Sequence, residues 1–264
     1  MFESKVVVIT GAGSGIGRAL AVQLAAIGAR LALSDINERG LQETLEQLAP
    51  GTDARAYRVD ASVRDEVFAH ADEVLNDFGA VHYVINNAGA TLVGSVANTD
   101  IAEYEWLLNI NLYGVLYGTK AFLPSMLRQD EGCIVNISSI FGLFAYPCQS
   151  AYNMSKFAVR GLTECLWQEL RGTGVRAVCV HPGGIKTNIE RAGRRVKQAG
   201  GMEGVFADKA ERLLVTPPEK CAAEIIDGLR KRKQRILTGH LSRTTYWLTR
   251  LLPNTYPTIL RWIG

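Results

Sequence analysis

Tyr152 and Lys156, in Ser150-Ala151-Tyr152-Asn153-Met154-Ser155-Lys156, are the pair in this sequence best suited to moving a proton. On a helix, a four-residue spacing stacks the phenol and the ammonium on one face, a turn apart. A phenol at its ordinary pKa near 10 gives up its proton too reluctantly to work at neutral pH. A cation about 4 Å away, at an effective dielectric near 20, contributes roughly 4 kcal/mol, or about three pKa units. The tyrosine is then poised as a general acid and base. The same spacing also occurs on many exposed helix faces, so its meaning depends on the rest of the chain.

A second constellation can hold a phosphate. Thr10-Gly11-Ala12-Gly13-Ser14-Gly15-Ile16-Gly17 follows the apolar run Val6 to Ile9 and opens a stretch rich in Ala and Leu. Glycines let the backbone come close to a pyrophosphate, and the N-terminus of the next helix stabilises its charge. The glycines fall as G-x-x-x-G-x-G, not in the common G-x-G-x-x-G spacing. Asp35 ends the next apolar run, where a carboxylate accepts hydrogen bonds from both adenosine ribose hydroxyls and repels a 2′-phosphate. That favours NAD over NADP. Arg39 is the counterweight, because a nearby arginine can grip a 2′-phosphate. Two roles are open to Asp60, after the third run: contact with the adenine amino group, or a cap on the helix that follows.

These side chains need a scaffold, and the chain is patterned for one. Apolar, β-branched runs at Val6 to Ile9, Leu31 to Ser34, Ala54 to Val59, Tyr83 to Asn86, Cys133 to Ile137 and Val175 to Val180 predict strands. Helical patterns separate them: Ile16 to Ile27, Glu38 to Leu48, Val63 to Phe78, one long helix from Ala102 to Met126, and Ser150 to Arg171. Near-continuous apolar strands, alternating with helices, imply an α/β fold: a doubly wound parallel sheet covered by helices on both faces. Ligands then bind at the C-terminal strand ends. The pattern fails from Ile185 to Val215, which reads as a lid over the substrate. Thr216 and Pro217-Pro218 start another helix. The whole of 1–264 reads as a single domain.

Composition agrees. With 47% apolar and 21% charged residues, the chain has the makings of a sizeable core. Its net charge of +3 argues against a nucleic-acid partner. The basic run Arg230-Lys231-Arg232-Lys233-Gln234-Arg235 reads as the solvated end of a helix. Cys133, Cys148, Cys165, Cys179 and Cys221 are odd in number and lack a C-x-x-C pairing, which fits reduced thiols in a cytoplasmic protein. No His/Cys cluster has metal-ligand spacing, so no metal is expected. Met1 to Thr10 lacks the apolar length of a secretory signal.

Thr10-Gly11-x-x-x-Gly15-x-Gly17, Asn86-Asn87-Ala88-Gly89, Asn111, Ser139, Tyr152-x-x-x-Lys156 and Pro182-Gly183, in that order, resemble the short-chain dehydrogenases/reductases. The resemblance runs from about residue 4 to 240. It implies a seven-stranded Rossmann sheet and reversible hydride transfer between NAD(P) and an alcohol or carbonyl. It also implies a homo-oligomer, a tetramer or dimer, built through the two long helices near Asn111 and Tyr152. By the same resemblance, Tyr152 would protonate the carbonyl oxygen or take the alcohol proton. Lys156 would lower the tyrosine pKa and bind the nicotinamide ribose. Ser139 would hold the substrate oxygen, with Ser138 the competing serine, and Asn111 would position a water joining Lys156 to solvent. Gly11, Ser14, Gly15, Ile16 and Gly17 would cradle the cofactor, with Asp35, Asp60, Asn87 and Gly89 on its adenosine side. Pro182, Gly183, Ile185 and Thr187 would meet the nicotinamide carboxamide. Ser14 stands where an NADP-preferring relative often carries a basic residue, which again favours NAD. His181 reads as a strand-end residue, since the tyrosine already fills the acid/base role.

Around this chemistry the expected pocket is apolar. Ile140-Phe141-Gly142-Leu143-Phe144-Ala145-Tyr146 and Thr91-Leu92-Val93 form its walls, so Leu92, Phe141 and Phe144 should line it together with Ser139 and Tyr152. Neither stretch carries an arginine to clamp a carboxylate. The expected substrate is therefore a largely apolar secondary alcohol or ketone, although the aromatics could instead pack between subunits. Arg191, Arg194, Arg195 and Lys197 are expected on the surface; the alternative is that they reach an acidic substrate. The tail 240–264, with Tyr246-Trp247-Leu248 and Arg261-Trp262-Ile263, suits packing over the cleft or a subunit better than a membrane surface. Two rival functions stay open: a 3-oxoacyl thioester reductase, against which Asp35 argues, and a non-catalytic dinucleotide sensor, which would commonly have lost the Tyr or Lys.

Overall fold

The computed structural model describes residues 1–187, 189, 193–196 and 213–263. In chain order its elements are β1 Val6–Thr10, α1 Gly15–Ala25, β2 Arg30–Asp35, α2 Glu38–Leu45, β3 Ala54–Arg58, α3 Arg64–Phe78, β4 Tyr83–Asn86 and β5 Leu92–Val93. There follow α4 Ile101–Leu108, α5 Gly114–Arg128, β6 Gly132–Ile137, α6 Ser150–Glu169, β7 Val175–Gly183 and β8 Arg194–Arg195. The last elements are α7 Pro218–Arg230, β9 Arg235–Gly239, α8 Ser242–Leu251 and α9 Tyr256–Ile263.

Seven strands form one parallel sheet in the order β3-β2-β1-β4-β6-β7-β9. Alternation along each strand sends side chains to opposite faces, and both faces are apolar. Val7, Ile9, Leu31 and Leu33 pack with Leu20 and Leu24 of α1 and with Ile225 and Leu229 of α7. Val6, Val8, Val84 and Ile134 pack on the other face with Val74, Phe122, Met126 and Leu166. Strand order reverses at β1, which has β2 on one side and β4 on the other. The crevice at a reversal of this kind opens beyond the C-terminal strand ends, here Thr10 and Asn86.

Three sequence readings need correcting. The stretch read as one long helix is interrupted: a π turn at Asn109–Tyr113 joins α4 to α5. An extra residue in that turn lets a polar side chain leave the helical ladder, and such bulges recur at functional sites. β7 continues through Pro182 and Gly183 instead of ending at Val180, with both residues paired to β9. The basic run is only partly a solvated helix end. Lys231 to Gln234 are exposed, but Arg235 begins β9 with its side chain 14% exposed against Glu164. Most of the expected lid, Arg191 and Lys197 included, lies outside the described residues.

His70 of α3 introduces a pH sensitivity. It is buried, edge-on to the Tyr57 ring at 4.8 Å and to Phe122 at 6.1 Å, and among the described residues its Nε2 has no partner. Burial pushes its pKa from 6.5 down to about 4. Below pH 6.5 the unfolded chain takes up a proton that the folded one refuses, so stability falls as pH drops from 6.5 towards 4. The shift is worth at most about 3 kcal/mol. His70→Leu should flatten the pH dependence of urea unfolding in that window, as followed by circular dichroism.

Candidate active site

The turn from β1 into α1 is shaped by contacts that exclude side chains. Gly11 takes φ +66°, and a Cβ there would come within 2.8 Å of Ala88 Cα. A Cβ on Gly17 would run into the Gly11 carbonyl and come within 2.7 Å of Asn87 Nδ2. Thr10 ties this turn to β4: its Oγ1 accepts from Asn87 N (3.0 Å) and Ala88 N (2.9 Å). Asn87 Nδ2 donates back to the carbonyls of Thr10 (2.9 Å) and Gly11 (3.1 Å). Ser14 sits at the start of α1 in extended conformation with no side-chain cap. Backbone N–H groups at such an end suit an anion. Thr187 faces the same turn, its Cγ2 3.1 Å from where a Gly15 Cβ would lie.

Asp35 ends β2 beside the glycine turn. Its Oδ2 accepts from Gly13 N and its Oδ1 from Asn37 N, each at 2.9 Å, so the carboxylate stands fixed beside the glycine turn. Arg39 points away: its side chain is 89% exposed and pairs with Glu43. Asp60 Oδ1 accepts from the Ser62 N–H (2.9 Å) and hydroxyl (2.6 Å), forming a turn ahead of α3.

Across the crevice lie the four residues that the sequence singled out for chemistry. All four are buried, Lys156 to 3% exposure. Tyr152 and Lys156 share one face of α6, with Nζ 5.6 Å from the tyrosine ring centroid. Lys156 Nζ donates to the Ile137 carbonyl (3.1 Å), a neutral partner. Burial therefore pushes its pKa down to about 8. Asn111 enters from the π turn. Its Oδ1 accepts from Ala90 N (2.8 Å), and its Nδ2 donates to Ala90 O (3.0 Å) and Ser155 Oγ (3.2 Å). Asn111 Oδ1 and Lys156 Nζ both flank Gly89, at 3.1 and 3.5 Å from where its Cβ would lie. Ser139 leaves β6 and caps the 3-10 turn Ile140–Gly142 through Phe141 N (3.1 Å). Ser138 is committed elsewhere, donating to the Lys156 carbonyl (2.8 Å).

The expected pocket residues meet here. Leu92 and Tyr152 share a cluster with Leu107 and Ala151, and Phe141 packs against it. Phe141 lies edge-on to Tyr152 at 5.9 Å and 5.2 Å from Phe144. Arg194 stays at the rim, over the Trp106 ring at 3.9 Å and paired with Glu103. Its strand β8 pairs with β5. In the tail, Tyr256 accepts a hydrogen bond from Ala145 N (3.3 Å), while Trp247 and Leu251 are exposed. Among the described residues no helix is long and apolar enough to cross a membrane. A separate open cleft of about 520 Å³, between Lys220 and Arg243, contains none of the catalytic candidates. Pro182 and Gly183 are the last residues of β7, and Ile185, just beyond it, is bridged to Thr216.

A family model described as short chain dehydrogenase matches residues 5–198. The chain belongs to the short-chain dehydrogenase family. A Mycobacterium tuberculosis protein named as an oxidoreductase, SadH, is 44% identical over 259 residues, covering 97% of this chain and 93% of its own. Mouse estradiol 17-beta-dehydrogenase 11 is 31% identical over 97% of this chain and 83% of its own. A short-chain dehydrogenase/reductase from Burkholderia phymatum, solved with NAD, superposes with a TM-score of 0.88 at 34% identity, covering 94% of each chain. The seven-stranded parallel sheet described above is the fold of this family, whose members are oxidoreductases using NAD(P). His181, expected at a strand end, is a buried residue near the end of β7, and its Nδ1 lies 3.0 Å from the Ser139 carbonyl. A histidine before Pro-Gly carries no motif, and only its place in the sheet gives it a neighbour.

Proposed function

We propose that this protein is an NAD-linked dehydrogenase that interconverts a largely apolar secondary alcohol and its ketone. The observation that carries this reading is the buried cluster of Tyr152, Lys156, Ser139 and Asn111, which faces the glycine turn across one crevice. Gly11 and Gly17 let the turn pack closely on itself and on Asn87 and Ala88, where a Cβ would clash, and the open N-terminus of α1 suits a pyrophosphate. The dinucleotide supplies a nicotinamide that accepts or returns hydride. In oxidation, Tyr152 as phenolate would take the proton from the hydroxyl oxygen while the carbon bearing that hydroxyl gives up hydride to the nicotinamide; in reduction Tyr152 would return a proton to the carbonyl oxygen. Ser139 donates a hydrogen bond to that oxygen. Among the described residues Lys156 Nζ bonds only a neutral acceptor, so a phenolate at Tyr152 supplies its missing counter-charge and the two protons move as a coupled pair. Asn111 and Lys156, both flanking Gly89, bracket a place for a relay water.

Leu92, Phe141 and Phe144 support an apolar substrate, as does the relative named for estradiol. Asp35 supports NAD: its fixed carboxylate would meet a 2′-phosphate with like charge, while Arg39 turns outward to Glu43. Exposed Tyr113, Met154 and Phe157, near the π turn and on α6, support assembly with further copies through those helices. The test is a panel of secondary alcohols with NAD and NADP, read by absorbance of the reduced cofactor. NAD should give the higher kcat/KM, and Asp35→Ser should move the NADP/NAD ratio of kcat/KM upward by at least about tenfold, worth roughly 1.4 kcal/mol. An unchanged ratio defeats the cofactor assignment, and no reduced cofactor with any alcohol defeats the reaction.

A further inference from the structure

We infer that His181 is a positioning residue for the Ser139 hydroxyl, held in one tautomer by Arg235; this rests on the reading of Ser139 proposed above. β6 and β7 stay in register as far as Ile137 and Val180, and Ser138 N still donates to the Val180 carbonyl (2.8 Å). Pro182 has no N–H with which to continue that ladder. Just where Ser139 must be fixed, backbone pairing between the two strands runs out. The side chain of His181 takes over: it is fully buried, and Nδ1 lies 3.0 Å from the Ser139 carbonyl. That carbonyl also accepts from Gly142 N (3.0 Å), while the Ser139 hydroxyl oxygen accepts from Phe141 N (3.1 Å). The serine is thus held through its peptide group and its hydroxyl together, which leaves the hydroxyl proton free to point at a substrate.

The direction of these bonds follows from Arg235. A guanidinium can only donate, and Arg235 Nη1 lies 3.0 Å from His181 Nε2. Nε2 is therefore the acceptor, and the single ring proton sits on Nδ1, aimed at the Ser139 carbonyl. Burial, with help from Arg235 and Arg160, pushes the His181 pKa down to about 4 despite the opposing Ser139 bond, so the ring stays neutral at working pH. Arg235 is itself fixed, by Glu164 at 2.6 Å and by the rings of Trp167 (5.0 Å) and Tyr246 (5.5 Å). Tyr246 belongs to α8, so the tail reaches the serine through an unbroken chain of contacts.

Isosteres separate this role from bulk packing. Asn places an amide N–H where Nδ1 stands and keeps the donor to Ser139; Gln places its amide nearer Arg235 and loses that donor; Leu keeps only volume. His181→Leu and His181→Gln should lower kcat about 10- to 100-fold, with the dissociation constant of NAD unchanged by fluorescence titration. His181→Asn should recover most of the rate whatever its melting temperature. In a Ser139→Ala background, His181→Leu should change kcat by less than about twofold, since the group being positioned is gone. Equal kcat for the Asn and Leu variants overturns the inference, as does a full His181→Leu loss in the Ser139→Ala background. If His181→Leu keeps its rate while Ser139→Ala loses it, the inference alone fails. If Ser139→Ala itself keeps its rate, the reading of Ser139 fails and takes the inference with it.

Discussion

Tyr152→Phe should lower kcat by about 10²–10⁴-fold, the usual worth of a positioned general acid/base, and leave the dissociation constant of NAD nearly unchanged. The substitution removes one oxygen and little else. The ring keeps its edge contact with Phe141 and its place beside Leu92 and Ala151, so the pocket wall survives. The cofactor cradle proposed above lies at the β1–α1 turn and the β4 end, which are tied by Thr10 and Asn87 and not by the phenol. Loss of rate with binding intact therefore isolates the proton transfer. Stopped-flow measurement of reduced cofactor, with NAD titrated by fluorescence, checks both halves. A variant that turns over within about tenfold of the parent would refute tyrosine catalysis.

Lys156→Met should make the free protein more stable and nearly inactive. The ammonium is buried with one neutral acceptor, and its pKa is driven from 10.5 to about 8. Because the folded value is the lower one, the folded state pays for a charge that the unfolded chain carries in water. This cost is present in full below pH 8 and disappears as pH rises from 8 to 10.5. The shift corresponds to about 3 kcal/mol. Met fills a similar volume without the charge, so the melting temperature should rise at pH 7, and the gain should shrink towards pH 10.5. Meanwhile kcat should fall by at least about a hundredfold, because Tyr152 loses the cation that stabilises its phenolate. A stabilised, inactive variant would show that Lys156 is kept for function against its own folding cost. Equal or lower stability at pH 7 would argue against that cost.

Local pattern carried much of the fold. Buried strands such as Tyr83–Asn86 were legible because a parallel sheet covered on both faces demands apolar runs, and the helices between them repeat with the helical period. The π turn at Asn111 was not legible, since one extra residue in a helix leaves the apolar pattern almost intact. Nor was the early end of α2 at Leu45 or of α6 at Glu169, because helix ends fray within a residue or two of any signal. The extension of β7 through Pro182 was hidden by a residue that ordinarily ends pairing; here its neighbour β9 accepts it at the sheet's far side.

By itself, the sequence determined which residue types share a helix face and which fill the turn after the first strand. Tyr152 and Lys156 share a face because four residues make about one helical turn, and the glycine run must be a turn because it joins a strand to a helix. Only the tertiary structure decided what those groups meet. Which partners Ser138 and Ser139 meet depends on which way β6 turns as it leaves the sheet: Ser138 bonds the Lys156 carbonyl and Ser139 caps the next turn. Likewise, Lys156 is strained by burial and His181 is drawn to the serine carbonyl because strands and helices distant in the chain close around them. Spacing along one element is set by local geometry; desolvation and partnership come from contacts between elements, which no local pattern records.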